Sequence, residues 1–357
     1  MPIGVANLVE HLKNVDELSD EEISQICKVF NVTFSEAGLG FALYRDIKEW
    51  KERYLEIKMK GEADDVLVSF IKESGEIIAT TIVTIKKAYV QGELLKFAFI
   101  DDVAVLPKHQ GKGFGKRVFL KAQKYVDESD VSASVLYTEY KGKAWHIYRK
   151  NGYFDGFFYA VAFKILNKRA FKKALKSSLF KFILNFIPKK AVPEEEEVEV
   201  LSLEDYERFN EFGRGMNLYT PITKYRLERT SFIFGCNGFL ASASIRDFGT
   251  AYGYRFKVGI ISNIVYENSS CAEKVIKTLT KKLADSGVVF IISFAMENSI
   301  KHVFKDAGYY VHGRVEGPSR FVTSVGMIKP ITEDISIIER IKFGKIYAPT
   351  EHMIGDW

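Results

Sequence analysis

Apolar and polar positions alternate in two rhythms along this chain, and the order of those rhythms predicts its elements. Apolar residues recur every three or four positions over Ser19–Phe30 and Asp46–Lys58, which predicts two helices, the first with Ser19 as N-cap and Glu22 three residues later. Strand-like runs follow at Val66–Ile71 and Ile77–Ile85, separated by the hairpin signal Lys72-Glu73-Ser74-Gly75-Glu76. A longer run, Leu94–Val105, leads into a glycine-rich turn. Beyond it, Val118, Phe119, Ala122 and Val126 mark one face of a helix, Ser132–Tyr137 a strand, Gly142–Lys150 a short helix and Tyr153–Ile165 closing strands. Strand, turn, helix, strand is the order a crossover unit needs.

The second half repeats this order less faithfully. Phe232–Phe234 and Phe239–Ile245 predict a strand pair, Val258–Tyr266 a central strand, Ala272–Ala284 a helix and Val288–Phe294 the next strand. Ile300–Tyr309 then lies over Ala144–Tyr153 without a gap, which argues for an internal duplication. Residues are missing where the glycine turn should be: Glu267-Asn268-Ser269-Ser270-Cys271-Ala272 brings a carboxylate and no glycine, and Phe304 stands where the first half has Tyr148. Between the halves, Phe171, Ala174, Leu175, Leu179, Phe182, Ile183 and Phe186 recur at helical spacing, predicting one amphipathic helix stopped by Pro188. The expected division is 1–166, a basic helix and linker over 167–195, a second domain over 196–330 and a tail over 331–357. For the helix, docking on one or both domains with its lysines in water is preferred to a contact of 168–190 with a membrane surface or a second chain.

Charge changes this picture only locally. The net charge is +5, but Lys168, Arg169, Lys172, Lys173, Lys176, Lys181, Lys189 and Lys190 fall in one stretch that contains no acid, so the rest of the chain is slightly acidic. Nucleic acid is therefore not expected as a partner. A composition 47% hydrophobic and 27% charged is that of a globular protein. Cys27, Cys236 and Cys271 are far apart, which supports neither a disulfide framework nor a metal site, and a reducing cytoplasm is expected. No stretch predicts a leader or a membrane span.

The candidate chemistry lies in the turn Gln110-Gly111-Lys112-Gly113-Phe114-Gly115. Alternating glycines let the backbone approach a ligand and gather N–H groups into a concave space, and the following helix adds the positive end of its dipole. The spacing is neither that of a dinucleotide fold nor that of a nucleoside triphosphatase. Val105-Leu106-Pro107-Lys108-His109-Gln110-Gly111-Lys112-Gly113-Phe114-Gly115 instead resembles the acyl-CoA motif Val-x-Pro-x-x-(Gln/Arg)-x-x-Gly-x-(Gly/Ala) of the GNAT superfamily of N-acetyltransferases. Ala144-Trp145-His146-Ile147-Tyr148-Arg149-Lys150-Asn151-Gly152-Tyr153 is similar to that family's second signature, Ala-x-x-x-Tyr-x-x-x-Gly-Phe. The resemblance covers about Val9 to Ile165. It implies an α+β (mixed α/β) chain of two tandem acyltransferase domains, each a mixed, mostly antiparallel sheet flanked by helices. The second is expected to have lost acyl-CoA binding.

The resemblance also implies roles. The pyrophosphate of acetyl-CoA or another acyl-CoA would meet Gln110, Gly111, Lys112, Gly113, Phe114 and Gly115, with Lys112 and Lys116 as charge partners, and Val103 and Val105 would offer N–H groups on a splayed strand. Tyr148 matches the tyrosine that protonates the departing thiolate. The attacking amine must lose a proton, and Asp101 and Asp102 are the candidate bases. A strand places them on opposite faces, so one at most faces the acceptor; Asp101, on the face of Phe99, is preferred, with Glu139 in reserve. Where relatives often carry Asn, this chain has Lys141. His109 and His146 are expected to be surface or packing residues.

The expected activity is transfer of an acyl group to a primary amine, on a small molecule or a protein, by direct attack in a ternary complex and without a metal. A polyamine or aminoglycoside would favour an acidic cleft, for which Asp101, Glu139 and Glu267 are the available acids. The alternative is a non-catalytic acyl-CoA-binding module in which the second domain or the tail from Ile341 to Trp357 recruits a partner; folding of that tail, with Tyr347, His352 and Trp357, into the acceptor site and its packing on the second domain are both left open. A homodimer is left open.

Overall fold

A computed structural model describes residues 8–36, 40–188, 190–317, 324–332, 336–342 and 346–347. His352 and Trp357 of the tail lie outside these residues. In the first half, β1 (Leu8–Asn14) precedes α1 (Asp20–Glu36), whose start is fixed as the sequence suggests: the Ser19 hydroxyl accepts from the Glu22 N–H and the Glu22 carboxylate from the Ser19 N–H, both at 3.2 Å. After β2 (Phe41–Leu43), the expected second helix is α2 (Ile47–Trp50) and α3 (Glu56–Met59) joined through a π turn at Lys51–Leu55. Then come β3 (Asp65–Glu73), β4 (Glu76–Val90), β5 (Glu93–Val105), α4 (Phe114–Asp127), β6 (Ala133–Glu139), α5 (Lys143–Lys150) and β7 (Phe154–Ile165). Ser74 and Gly75, with φ of 51° and 89°, close the β3–β4 hairpin in a two-residue turn.

The connector departs from the expected single helix docked by its apolar face. It is two helices, α6 (Lys168–Ala174) and α7 (Ser178–Phe186). Leu175 is extended, and Ser177 restarts the helix by accepting from the Phe180 N–H. The break lies where the chain at Lys176 crosses Gly40, whose absent Cβ would fall 2.4 Å from the Lys176 Cβ. Phe171, Ala174, Leu175 and Leu184 enter the core, whereas Leu179, Phe182, Ile183 and Phe186 stay exposed.

The second half runs β8 (Glu199–Val200), α8 (Tyr206–Arg214), β9 (Leu218–Tyr219), α9 (Lys224–Glu228), β10 (Phe232–Cys236), β11 (Phe239–Thr250), β12 (Arg255–Tyr266), α10 (Ala272–Asp285), β13 (Phe290–Ala295), α11 (Asn298–Asp306), β14 (Tyr310–His312), β15 (Ser324–Pro330), α12 (Ser336–Lys342) and β16 (Ile346–Tyr347). The halves share one mixed sheet in the order β1-β3-β4-β5-β6-β15-β7-β13-β12-β11-β10-β8. They exchange strands. β15, late in the chain, inserts between β6 and β7, while the C-terminal part of β7 pairs with β13 and β14, so β7 belongs to both ladders. Hydrogen bonds thus cross the expected boundaries near residues 166 and 330. One apolar cluster spans the join, from Phe97, Phe99 and Val135 through Tyr159 to Phe256, Ile260 and Phe294.

Candidate active site

The acidic pair on β5 sits at an irregularity. Along the β4–β5 ladder Asp101 faces Ile82 and Ala104 faces Thr80, so Asp102 and Val103 together oppose Thr81. This is a β-bulge. Asp102 takes a φ of 54°, in the left-handed region that short polar side chains tolerate best. Its carboxylate accepts from Arg45 Nη2 at 3.1 Å, is ion-paired to Nη1 of the same guanidinium, and accepts from the Tyr54 hydroxyl at 2.7 Å, all three side chains being buried. Burial pushes the Tyr54 phenol up to about 12, against the pull of Arg45 and with the Asp101 charge adding to it, so Tyr54 keeps its proton at neutral pH. Asp101 precedes the bulge and shares the strand face of Phe99. The bulge therefore separates the two acids by environment as well as by face. Arg45 and Tyr54 were not found from the sequence, although a charge directly after the apolar run Phe41–Tyr44 was a signal.

β5 and β6 part beside this bulge. Their parallel ladder starts at Phe97 with Ala133 and ends at Ile100 with Leu136, yet β5 runs on to Val105 and β6 to Glu139. A slot opens between the two strand ends. The glycine turn stands at its mouth, where Val105 carbonyl oxygen accepts from Gln110 Nε2 at 3.1 Å and from Thr33 Oγ1 at 3.0 Å. Gly111 and Gly113 have φ of 79° and 84° and nothing near an added Cβ, so backbone conformation and not space requires glycine there. At Gly115 an added Cβ would lie 3.3 Å from the Val105 side chain. Gly113 is the N-cap of α4 and offers no side-chain cap, so the first N–H groups of the helix point outward without one. Gln110, Gly111, Lys112, Gly113 and Lys116 are exposed, and Phe114 is buried with its ring 6.2 Å from that of His109.

Tyr148 comes from α5. Its ring packs 4.8 Å from Phe119 of α4 and 6.1 Å from Tyr153, in an apolar cluster against which Val103 of the bulge also packs. The neighbouring Tyr153 hydroxyl donates to Gln123 at 2.7 Å and lies 2.6 Å from Ser134 Oγ. Glu139, Lys141 and His146 are exposed, while His109 is buried with Nδ1 3.5 Å from Glu73. Among the described residues no group of three or more His, Cys, Asp or Glu side chains is arranged to hold a metal.

A cavity lies where the halves meet. Tyr54, Lys86 and Arg53 from the first half and Arg226, Arg229, Arg246, Ser262 and Asn263 from the second line it, with Glu62 as the one carboxylate among the described lining residues. Lys86 Nζ sits 4.9 Å over the Phe99 ring, on the strand face of Asp101. Arg246 spends its fork on the carbonyls of Arg229, at 2.9 Å, and Ile245, at 3.4 Å. Burial and then the neighbouring Arg229 pull its guanidinium below the ordinary value, Arg53 adding to the crowding and Glu49 opposing it. The lining of this cavity is basic, and neither Glu139 nor Glu267 is part of it.

The Acetyltransferase (GNAT) domain family matches residues 14–154. No curated protein matches the chain. Among solved structures, Saccharomyces cerevisiae N-myristoyltransferase with bound myristoyl-CoA is similar at a TM-score of 0.65 and 9% identity, over 90% of this chain and 82% of that one. The same enzyme with bound myristoyl-CoA and inhibitors gives 0.63 and 10%, over 90% and 80%. A putative acetyltransferase from Pyrococcus horikoshii gives 0.53 and 15%, over 95% of each chain. At these identities the likeness is one of fold: two halves flanked by helices around a shared mixed sheet.

Proposed function

We propose that this chain, a member of the GNAT superfamily through its residues 14–154, moves an acyl group from acyl-CoA to a primary amine in its first half, by direct attack within a ternary complex. The observation that carries this reading is the slot between the ends of β5 and β6 with the uncapped glycine turn at its mouth. The N–H groups from Gly111 to Lys116 take the pyrophosphate, helped by the charges of Lys112 and Lys116. The thioester lies along Val103–Val105, whose N–H groups polarise its carbonyl. Asp101 takes one proton of the attacking ammonium, the amine nitrogen bonds to the carbonyl carbon, the carbon–sulfur bond breaks, Tyr148 gives the thiolate its proton, and the second proton released by the nitrogen restores Tyr148. Asp102, held by Arg45 and Tyr54, shapes the bulge and moves no proton. The donor proposed first is acetyl-CoA; the bound myristoyl-CoA of the yeast enzyme makes a long acyl chain the second donor to assay.

The cavity suggests the class of acceptor. An amine that also carries a carboxylate or phosphate fits a lining with five cationic side chains (Arg53, Lys86, Arg226, Arg229, Arg246) and one carboxylate, its anionic end among the arginines and its ammonium towards Asp101. Native mass spectrometry with acetyl-CoA, counting ligands per chain, tests the donor site: one ligand, lost in Gly113→Glu, is expected, and none would overturn the reading. An acceptor screen should then favour amino acids and aminophosphates over polyamines.

A further inference from the structure

The α6–α7 connector is attached to the core by one face only. Phe171, Ala174 and Leu175 of the α6 segment and Leu184 of α7 are buried, and the two helices are tied together where Lys168 donates to the Ile187 carbonyl and Lys172 to Asn185 Oδ1. The rest of α7 is the most apolar exposed surface among the described residues of the connector. Leu179 is 64% exposed, Phe180 46%, Phe182 60%, Ile183 41% and Phe186 71%, with the Phe182 and Phe186 rings 5.0 Å apart. Such a patch on water-exposed helix is costly and needs an occupant. Cations border it: Arg169, Lys172, Lys173 and Lys176 are exposed, and residues 168–190 contain no Asp or Glu. The polar contacts of Lys172 and Lys176 are to neutral groups, Asn185 and the Glu36 carbonyl.

We infer that α7 is a docking surface for an anionic lipid bilayer, lying in the interface with its phenylalanines among the acyl chains and the lysines of the α6–α7 connector at the headgroups. Long lysine stems suit this position, because they reach outward to phosphates while their methylenes cover apolar surface. The charge pattern chooses the occupant. A second copy would bring the same acid-free basic collar against this one and repel it, whereas a negatively charged membrane attracts both components of the face. No described helix is long and apolar enough to cross a membrane, so the attachment is peripheral. This inference stands apart from the acyltransferase reading, since none of these residues belongs to the glycine turn or the bulge.

Flotation of the full chain with vesicles of phosphatidylcholine, with and without phosphatidylglycerol, tests it. Binding to the anionic vesicles should be about tenfold or more above that to neutral ones and should fall as salt rises. Phe182→Asp with Phe186→Asp should lower it by at least about tenfold, and Lys172→Gln with Lys173→Gln should weaken it and flatten its salt dependence. Both pairs are exposed, so circular dichroism and the melting temperature should not move. Equal recovery with neutral and anionic vesicles would overturn the proposal. So would light scattering that shows a stable dimer of the native chain which Phe182→Asp dissolves.

Discussion

The two halves carry the same backbone device beside different turns. In the first, Asp102 bulges opposite Thr81 with a φ of 54°; in the second, Asn263 bulges opposite Ala241 with a φ of 52°. Both central ladders then open, at Ile100 with Leu136 and at Ile260 with Ile292. Both following tyrosines brace the crossover helix, Tyr153 through Gln123 and Tyr309 through Thr280. The turns diverge completely. Where the first half presents Gly111 and Gly113, the second folds on itself: Asn268 Oδ1 accepts from the Ser270 N–H at 3.3 Å and from its hydroxyl at 2.7 Å, Asn268 Nδ2 donates to Asn237, and Cys271 Sγ donates to Cys236. The strand exchange explains the asymmetry. Bulge and splay are part of a sheet on which both halves depend, so they persist, whereas the turn lies outside the shared ladders and can fill with capping side chains.

The largest effect should come from the bulge itself. Asn263 shows that a neutral side chain can hold this conformation, so Asp102→Asn isolates the charge and leaves the buried Arg45 with only the more distant Glu49 carboxylate, at 3.9 Å. A loss of about 3–5 kcal/mol in urea unfolding is expected. Arg45→Met in the same chain should return part of it. If Asp102→Asn is neutral, the two bulges are energetically alike and the buried pair has been misjudged.

Next is the turn. Gly113 is exposed and nothing crowds it, so Gly113→Glu should cost about 1 kcal/mol of stability through its positive φ while weakening acyl-CoA binding by about a hundredfold or more. Asn268→Ala, in the equivalent turn, should leave calorimetric stoichiometry unchanged at one ligand. A second ligand in native protein would erase the proposed difference between the halves. Tyr148→Phe makes the first half resemble the second at Phe304, and kcat should fall by about 10–100-fold with the KM for acyl-CoA held within about twofold. Phe304→Tyr should change neither.

What the sequence made legible follows from periodicity and from glycine. The order of strands and helices, the duplication and the glycine turn were all visible, because each is written in neighbouring residues. The strand exchange was not, since nothing local in Ser324–Pro330 says that it pairs with Glu139 and Tyr159. The bulge was half visible: Asp101 and Asp102 stood out as acids in an apolar strand, but alternation assigned them opposite faces where the chain inserts an extra residue. The basic cavity was hidden by averaging. Arg53, Lys86, Arg229 and Arg246 are far apart in sequence and disappear into a slightly acidic remainder. The exposed face of α7 was expected to dock on the domains because periodicity marks an apolar face without saying what covers it.

The smallest effect concerns the outer edges of the sheet, and it too separates the halves. On the first, Glu22 of α1 receives Lys13 from β1 and Lys72 from β3, each at 2.9 Å. Burial alone would raise its carboxyl, but the bonds from Lys72, Lys13 and the Ser19 N–H override it and bring the value from 4.5 to about 2. A carboxylate depressed in the folded chain adds stability that is complete above about 4.5 and lost as pH falls towards about 2. Glu22→Gln should therefore lose on the order of 1–2 kcal/mol at neutral pH, after allowance for solvent screening, with the gap closing through that window. On the second edge, Glu199 of β8 meets Arg208 at 2.8 Å with half of its side chain in water, so Glu199→Gln should stay within about 0.5 kcal/mol. Thermal melts of the two variants across acid pH decide it. A Glu22 gap that survives at the acid end would mean that packing and not charge holds β1, and a Glu199 effect as large as that of Glu22 would make the two edges equivalent.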